Sequence, residues 1–521
     1  MICIAKGIGM PDYVHSPTVW VLLLGSFLVT YLLTPLVIRL ATTFGIIDGG
    51  GYRRIHKNST MPLMGGLAIA IPFIGACLCG IFKLTSLFRI VEGQYLGFIA
   101  LVLGCCIIVV MGIVDDKVGL RAPEKFALQV LAALMICGAG LIRHSYIIRG
   151  IDLPFLGRIG LSPFIGTLLT IVWIVGLTNA YNLIDGIDGL AAGLALIASV
   201  GLAIVSFMNG SMFPALLCTS LAGSLMAFLF FNFHPARIFL GDTGSLFLGF
   251  TLASITLMGS LKTTGAVIFI TPILVLGLPI VDTLSSILRR LLRGRPLFQG
   301  DQGHLHHRLL NKGYSPRATA LIFYAVSILM TASAILSWVL PPHSLGMWAA
   351  YAGYGAALVC IAWLAGLLRV SRLRQVFRYR KRNKLLANFA KYVSAKLSMV
   401  DEVSTFPRAL LGMMCDELRL GSLEVHDESG GVLLSSYKNM DGLGVSMIPP
   451  GRGNRFQVKT ASGQSLIVCY QHDYQPNEIE YGDTQACLAQ IFEEVKWNEP
   501  GRVLNGARQR LSVSANQQNV A

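Results

Sequence analysis

Eleven stretches of this 521-residue chain read as membrane-crossing segments. A helix needs about 20 mostly apolar residues to cross a bilayer core. The stretches lie near 17–38, 61–82, 93–114, 126–142, 161–182, 189–208, 212–233, 243–261, 264–281, 318–342 and 344–368. Those near 126–142 and 264–281 are short and flanked by polar sequence. Lipid offers no partner to a backbone N–H or C=O, so each segment must satisfy its own groups, and a helix does so locally. The expected fold class is an all-α polytopic membrane bundle of about eleven transmembrane helices. A small cytoplasmic α+β domain is expected to follow it at the C-terminus.

The charges agree with lipid as the solvent. Only 13% of the residues are charged, against about 25% in an average soluble domain. Residues 1–369 hold 23 Lys+Arg and 12 Asp+Glu, and residues 370–521 hold 19 and 15. Twelve acids in 369 residues cannot coat a globular surface. That excludes a disordered chain, a collagen-like fibre and an all-soluble enzyme. The eleven Cys include no CxxC pair, and most lie in apolar runs, where Cys acts as a small hydrophobe.

Orientation follows from the basic residues, which favour the cytoplasmic side. The loops after odd-numbered segments up to the ninth carry 14 Lys and Arg, while the N-terminus and the other loops carry 7. The N-terminus is therefore expected outside, as an uncleaved anchor, with the C-terminus in the cytoplasm. Four parts are expected along the chain: 1–369 in the membrane, a basic juxtamembrane helix at 370–400, an α+β domain at 401–499, and a polar tail at 500–521. The basic stretch is suited to anionic membrane lipid, and no nucleic-acid partner is implied. The runs SLEVHD, GVLLSSY, RFQVKT and SLIVCY are expected strands, with helices near 401–420 and 476–495. None of them carries a motif tied to chemistry.

Seven of the twelve membrane-part acids fall in or beside the cytoplasmic loops: Asp115, Asp116, Asp185, Asp188, Asp242, Asp282 and Asp301. Acids are expensive near hydrocarbon and do nothing for orientation, so each is a functional candidate unless it merely caps a helix or pairs with Arg. In MGIVDDKVG, Asp115 and Asp116 repel each other and favour a cation, and oxygen donors of this kind suit Mg²⁺. Mn²⁺ has the same preference. Lys125 faces the same loop and can meet a phosphate. In NAYNLIDGIDGL, Asn179, Asn182 and Asp185 recur three apart on one helix face, and Asp188 sits between glycines. In FFNFHPARIFLGDTGSL, Asn232 and Asp242 bracket a loop at a helix start, where free N–H groups can seat a phosphate. In LRRLLRGRPLFQGDQGHLHHRLLNKG, four Arg including Arg293 precede His304, His306 and His307. Zinc is one reading of the histidines, and an anion such as a diphosphate is the reading the arginines favour. The first loop adds Arg53, Arg54, His56 and Lys57, for which positive-inside anchoring is the plain alternative.

All of these groups fall on one side of the membrane. Acids for Mg²⁺, cations for phosphate and amides for a polar head together describe a site for a nucleotide diphosphate, open at its border to a lipid. No GxxxxGK[ST] loop is present, which argues against an ATP-driven motor. The motifs VDDKxG, NxxNxxDGxDGL, FNxxPAxxFLGDTGS and GDQGHLHHRLL, in this order, closely resemble the bacterial polyprenyl-phosphate N-acetylhexosamine-1-phosphate transferase family over about residues 18–369.

That resemblance implies eleven helices with an outside N-terminus, in the bacterial cytoplasmic (inner) membrane. It implies transfer of a sugar 1-phosphate from a UDP-sugar to undecaprenyl phosphate, with release of UMP, as the step that initiates a lipid-linked surface polysaccharide. The HLHHRL segment is similar to the branch using UDP-N-acetylglucosamine rather than UDP-muramoyl pentapeptide. By the same resemblance Asp242 is the main Mg²⁺ ligand, and Asp115 and Asp116 bind metal or activate the lipid phosphate. Asn182, Asp185, Asp188 and Asn232 shape the nucleotide site, and His304, His306 and His307 serve the diphosphate or sugar. The Gly49–Gly51 triplet and Gln302 depart from the family pattern. A secondary transporter and a membrane sensor are the rival classes. The transporter predicts acids at mid-membrane depth and internal repeats, neither of which the sequence has. A bundle of this size also admits a homodimer.

Overall fold

A computed structural model describes residues 17–48, 61–81, 95–143, 146–153, 157–259, 267–293, 303–340 and 344–364, and in the C-terminal part 388, 392, 414, 415, 418, 420–426, 432–437, 454–459, 465–472, 484, 485, 487 and 488. The chain divides into two compact units, residues 1–289 with 297–369, and residues 290–296 with 370–521. The first unit's helices are α1 Pro17–Thr43, α2 Gly65–Ile81, α3 Tyr95–Val118, α4 Ala122–Arg143, α5 Pro163–Ile184, α6 Leu190–Met208, α7 Met212–Asn232, α8 Gly241–Gly259, α9 Val267–Val275, α10 Gly277–Arg293 (its last four residues fall in the second unit), α11 Leu305–Leu310, α12 Pro316–Val339 and α13 Leu345–Leu364. Two small antiparallel hairpins interrupt them, β1 Ile47–Asp48 with β2 Met61–Pro62, and β3 Gly150–Leu153 with β4 Gly157–Gly160.

Eight of the described helices (α1, α3, α4, α5, α6, α7, α12 and α13) are long and apolar enough to cross a membrane. The polarity of α1 runs opposite to that of a water-soluble helix. Trp20, Leu24, Leu28, Leu32 and Leu36 point outward, while Ser26, Thr30 and Thr34 are buried. Ser26 Oγ and Ser220 Oγ share a hydrogen bond of 2.7 Å, and Thr30 Oγ1 donates to Ala68 C=O at 3.2 Å. Small and hydroxyl-bearing faces turned inward, with leucines turned out, are how helices associate when lipid is the solvent. The protein is an integral membrane protein.

At the centre stands α8, whose residues are almost all buried and which packs on α2, α3, α5, α6 and α7. Its N-terminus lies against α3 so closely that a Cβ on Gly112 would stand 2.4 Å from Thr243 Cα. That contact sets where Asp242 begins the helix. The C-terminal ends of α3 and α5 thereby meet the N-terminal ends of α4 and α8 at one end of the bundle.

Of the three expected segments outside these eight, those near 61–82 and 243–261 contain α2 and α8, and the third is different. The run near 264–281 is not a single helix but two, α9 and α10, parted at Leu276. Gly277 and Pro279 explain the break: the first weakens the helix, and the second has no N–H and tolerates only a first turn. Beyond the break α10 is amphipathic in the inverted sense. Leu284, Leu288 and Leu291 are exposed, while Asp282, Ser286 and Arg289 are buried at i, i+4 and i+7.

In the second unit the four expected strands form one antiparallel sheet of order β6-β5-β8-β7, with β5 Leu420–His426, β6 Val432–Tyr437, β7 Asn454–Lys459 and β8 Ser465–His472. Leu423 pairs with Tyr470, and both are buried, as are Leu420 and Val468. The helices expected near 401–420 and 476–495, the basic stretch and the tail fall largely or wholly outside the described residues.

Candidate active site

Asp242 opens α8 and gathers partners from three other helices. Asn182, in the last turn of α5, donates from Nδ2 to Asp242 Oδ1 at 2.8 Å and to Ser245 Oγ at 3.0 Å. Lys125, in the first turn of α4, donates from Nζ to Asp242 Oδ2 at 3.0 Å. The same ammonium is ion-paired with Asp115 Oδ2 at the end of α3, whose Oδ1 accepts the Leu120 N–H at 2.7 Å. Two carboxylates therefore converge on one cation.

Asp116 does something else. Its Oδ1 accepts the Asp242 N–H at 2.8 Å, and its Oδ2 accepts the Thr243 N–H at 3.1 Å and the Thr243 hydroxyl at 2.6 Å. It caps α8 from a neighbouring helix, satisfying N–H groups that have no partner within α8. The adjacent pair read from the sequence as one unit thus splits into a charge that faces Lys125 and a charge that holds Asp242 in place.

The remaining amides and acids build the loops around this centre. Asn179 Nδ2 donates to Gln129 Oε1 at 2.6 Å and to Val175 C=O at 2.8 Å, tying α5 to α4. Asp185 ends α5 as its C-cap residue. Asp188 Oδ2 accepts His234 Nδ1–H at 2.8 Å and Ala236 N–H at 3.2 Å. Asn232 accepts Gly189 N–H on Oδ1 at 3.2 Å and donates to Ile238 C=O at 2.9 Å. Tyr324 OH donates to Gly189 C=O at 2.6 Å. Together these bonds shape the two loops that follow α5 and α7.

The histidine segment forms the short helix α11. His304 donates from Nδ1 to Asp282 Oδ2 at 2.9 Å and stacks on His306, with centroids 5.8 Å apart and planes 11° off parallel. His306 is 1% exposed, neither of its ring nitrogens has a hydrogen-bond partner among the described residues, and it touches His307 at 4.2 Å between centroids. Burial, then the neighbouring His307 and His304 charges, push its pKa down to about 3, with Asp282 opposing. His306 also reaches the other half of the site. A Cβ on Gly186 would stand 2.2 Å from its Nε2, so only glycine fits between Asp185 and Ile187. Arg293 closes α10, but its side chain, like Asp301 and the first-loop Arg53, Arg54, His56 and Lys57, lies outside the described residues.

Sequence reasoning passed over Gln129, Thr243 and His234 as site groups. Gln129 was reachable, because it follows Lys125 by four residues and so shares its helix face.

No group of three or more His, Cys, Asp or Glu is set for a metal among the described residues. A Mg²⁺ ion nevertheless fits the chemistry here. Asp115 Oδ2 and Asp242 Oδ2 already meet around one cationic centre, and Mg²⁺ commonly takes one or two carboxylates and completes its shell with water and substrate phosphates.

A helical membrane unit with acids, amides and a lysine clustered at one end is a setting for chemistry on charged groups. Residues 98–260 match glycosyl transferase family 4, and the chain belongs to that family. It is 39% identical over 312 residues to the Bacillus subtilis protein named "Probable undecaprenyl-phosphate N-acetylglucosaminyl 1-phosphate transferase", covering 60% of this chain and 82% of that one. It is 34% identical over 322 residues to the decaprenyl-phosphate N-acetylglucosaminephosphotransferase of Mycobacterium tuberculosis, covering 58% and 78%. Similarity to the phospho-N-acetylmuramoyl-pentapeptide-transferase of Staphylococcus carnosus is 31% over 327 residues, covering 60% and 96%.

Proposed function

We propose that the protein transfers N-acetylglucosamine 1-phosphate from its UDP-sugar to undecaprenyl phosphate, releasing UMP and initiating a lipid-linked surface polysaccharide. The observation that carries this reading is the meeting of Asp115, Lys125, Asn182 and Asp242 at one end of the bundle. The orientation read from the loops puts that end at the cytoplasmic face of the bacterial inner membrane, where both substrates can arrive. The relatives' names supply the substrate classes, and the HLHHRL segment supports N-acetylglucosamine as the sugar.

In the reaction an oxygen of the lipid phosphate attacks the β-phosphorus of the UDP-sugar. A P–O bond forms there, and the bond from that phosphorus to the oxygen bridging it to the α-phosphorus breaks, so UMP leaves with the bonding pair. Mg²⁺ held by Asp242 and Asp115, or Mn²⁺ in its place, would supply charge neutralisation for the diphosphate. Lys125 keeps the two carboxylates paired at rest and is within reach of an incoming phosphate once it lets go of one of them. Asn182 orients Asp242, and Asp116 fixes the helix start that carries it. Asn179, Asp185, Asp188 and Asn232 frame the nucleotide, His304, His306 and His307 line the diphosphate and sugar side, and Arg293 is assigned to the same substrates from the sequence alone. Catalysis of this kind is positioning plus electrostatics.

The test is UMP release from UDP-N-acetylglucosamine by the purified protein, with and without undecaprenyl phosphate. Lipid-dependent release is expected, and release that ignores the lipid would sink the reading.

A further inference from the structure

Asp282 takes no step in the reaction proposed above, yet it is among the most deeply buried acids of the bundle, at 1% exposure. Both of its oxygens are in use. Oδ1 accepts the Leu305 N–H at 2.8 Å, and Oδ2 accepts from His304 Nδ1 at 2.9 Å. Although burial pushes its pKa up, the neighbouring histidines and the Leu305 N–H outweigh that and hold Asp282 below the ordinary carboxyl range, so it is a carboxylate, which only accepts. The proton in the second bond therefore belongs to Nδ1. His304 is itself nearly buried and stacked on His306, so the ring cannot turn to offer its other nitrogen.

We infer that Asp282 is a positioning residue, which fixes a proton on Nδ1 of His304 and so makes Nε2 the atom that the ring presents to the substrates. The inference rests on the proposed reading, in which His304 contacts the sugar diphosphate. Its basis lies in α10, whose break at Leu276 frees the helix to turn a polar face inward and bring Asp282 beneath α11. A carboxylate suits the place because it offers two acceptors on one short planar group. Asparagine has the same shape and one acceptor.

Asp282→Asn separates this role from packing. The Leu305 N–H can only donate, so the amide must keep its oxygen there and turn its NH₂ toward His304. That bond requires a lone pair on Nδ1 and moves the ring proton to Nε2. The number of hydrogen bonds and the volume are unchanged, while the atom facing the substrates exchanges its role. The full-length protein labelled with ¹⁵N-histidine reports this by NMR in detergent, with the His304 signals identified among ten histidines by their loss in His304→Gln. Wild type should show protonated Nδ1, and Asp282→Asn protonated Nε2. Lipid-dependent UMP release by Asp282→Asn should fall on the order of 10²-fold or more, in kcat rather than KM, as when a histidine is held in the wrong tautomer. The thermal midpoint should stay near wild type, and Asp282→Asn should add no further loss on a His304→Gln background.

A bare Nδ1 in the wild type would overturn the inference, and so would an Asp282→Asn variant that turns over at close to the wild-type rate. Should the wild type release no UMP with the lipid, the proposed reaction falls, and the tautomer measurement still decides the assignment of Asp282.

Discussion

Asp242 and Asp188 look alike in the sequence, each a lone acid beside glycine at the membrane border, but they are used in opposite ways. Asp242 faces other charged groups: Lys125 lies 3.0 Å from it and also pairs with Asp115, so that part of the site is a cation held between two anions. Asp188 faces polar groups on the loop after α7, His234 and the Ala236 N–H among them, and it holds that loop's backbone. The first arrangement changes when a polyanionic substrate or a divalent cation enters, because its energy is mostly that of net charges at close range. The second is a set of directional bonds to half-buried donors, whose removal loosens the loop they hold. Substitutions in the first region should therefore register in rate, and substitutions in the second in stability.

The largest effect expected is that of Asp242→Ala. UMP release should drop on the order of 10³-fold, the scale of losing a preorganised electrostatic group, with little change in thermal midpoint. Wild-type turnover in saturating Mg²⁺ would break the contrast and the metal reading together. Lys125→Met sharpens it further. Without the ammonium, Asp115 and Asp242 repel across the place it filled, so Mg²⁺ should raise the thermal midpoint of this variant more than that of the wild type. Equal Mg²⁺ responses in thermal unfolding, with no substrate present, would count against a cation site there.

Asp188→Ala tests the other region. It removes the bonds to His234 and Ala236, which at about 0.5–1.5 kcal/mol each should lower stability by about 1–3 kcal/mol, seen as a lower thermal midpoint. At a temperature where the variant is folded, its kcat should remain within about tenfold of wild type, with a larger share of the loss in KM. A variant as stable as wild type but inactive would place Asp188 with Asp242 instead.

How much of this was legible depended on which force set it. Eight of the expected spanning helices were, because lipid leaves a spanning segment no alternative to a long apolar helix, and the acids stood out for the same reason. The meeting of Lys125 with Asp242 was not, since 117 residues separate them and the packing of α3, α4, α5 and α8 brings them together. The split of Asp115 from Asp116 was hidden too, because adjacent residues on a helix point in different directions, and only the position of α8 decides which one becomes a cap. The break at Leu276 lay in plain sight as Gly277 and Pro279, but the apolar run continues through it and outweighed them. The β3–β4 hairpin was missed because Gly150–Gly160 is too short and glycine-rich to show a strand pattern.

The smallest effect concerns His306, which belongs with the bonded framework by position but whose ring has no hydrogen bond among the described residues. Its neutral ring lies against Gly186, which puts α11 against the loop after α5. Its pKa falls from the ordinary 6.5 to about 3 in the folded protein, so between these values the unfolded chain binds a proton that the folded one refuses. Stability from this group is thus complete above pH 6.5 and lost progressively as the pH falls toward 3. Between pH 8 and pH 6 the loss should be about 1 kcal/mol, and it should vanish in His306→Gln, which cannot titrate. Thermal unfolding at the two pH values measures it directly. If His306→Gln shows the same pH step as wild type, the ring is not carried neutral into the fold. The contact at Gly186 would then join a charged histidine to the loop, and this corner of the site would belong with Lys125 rather than with Asp188.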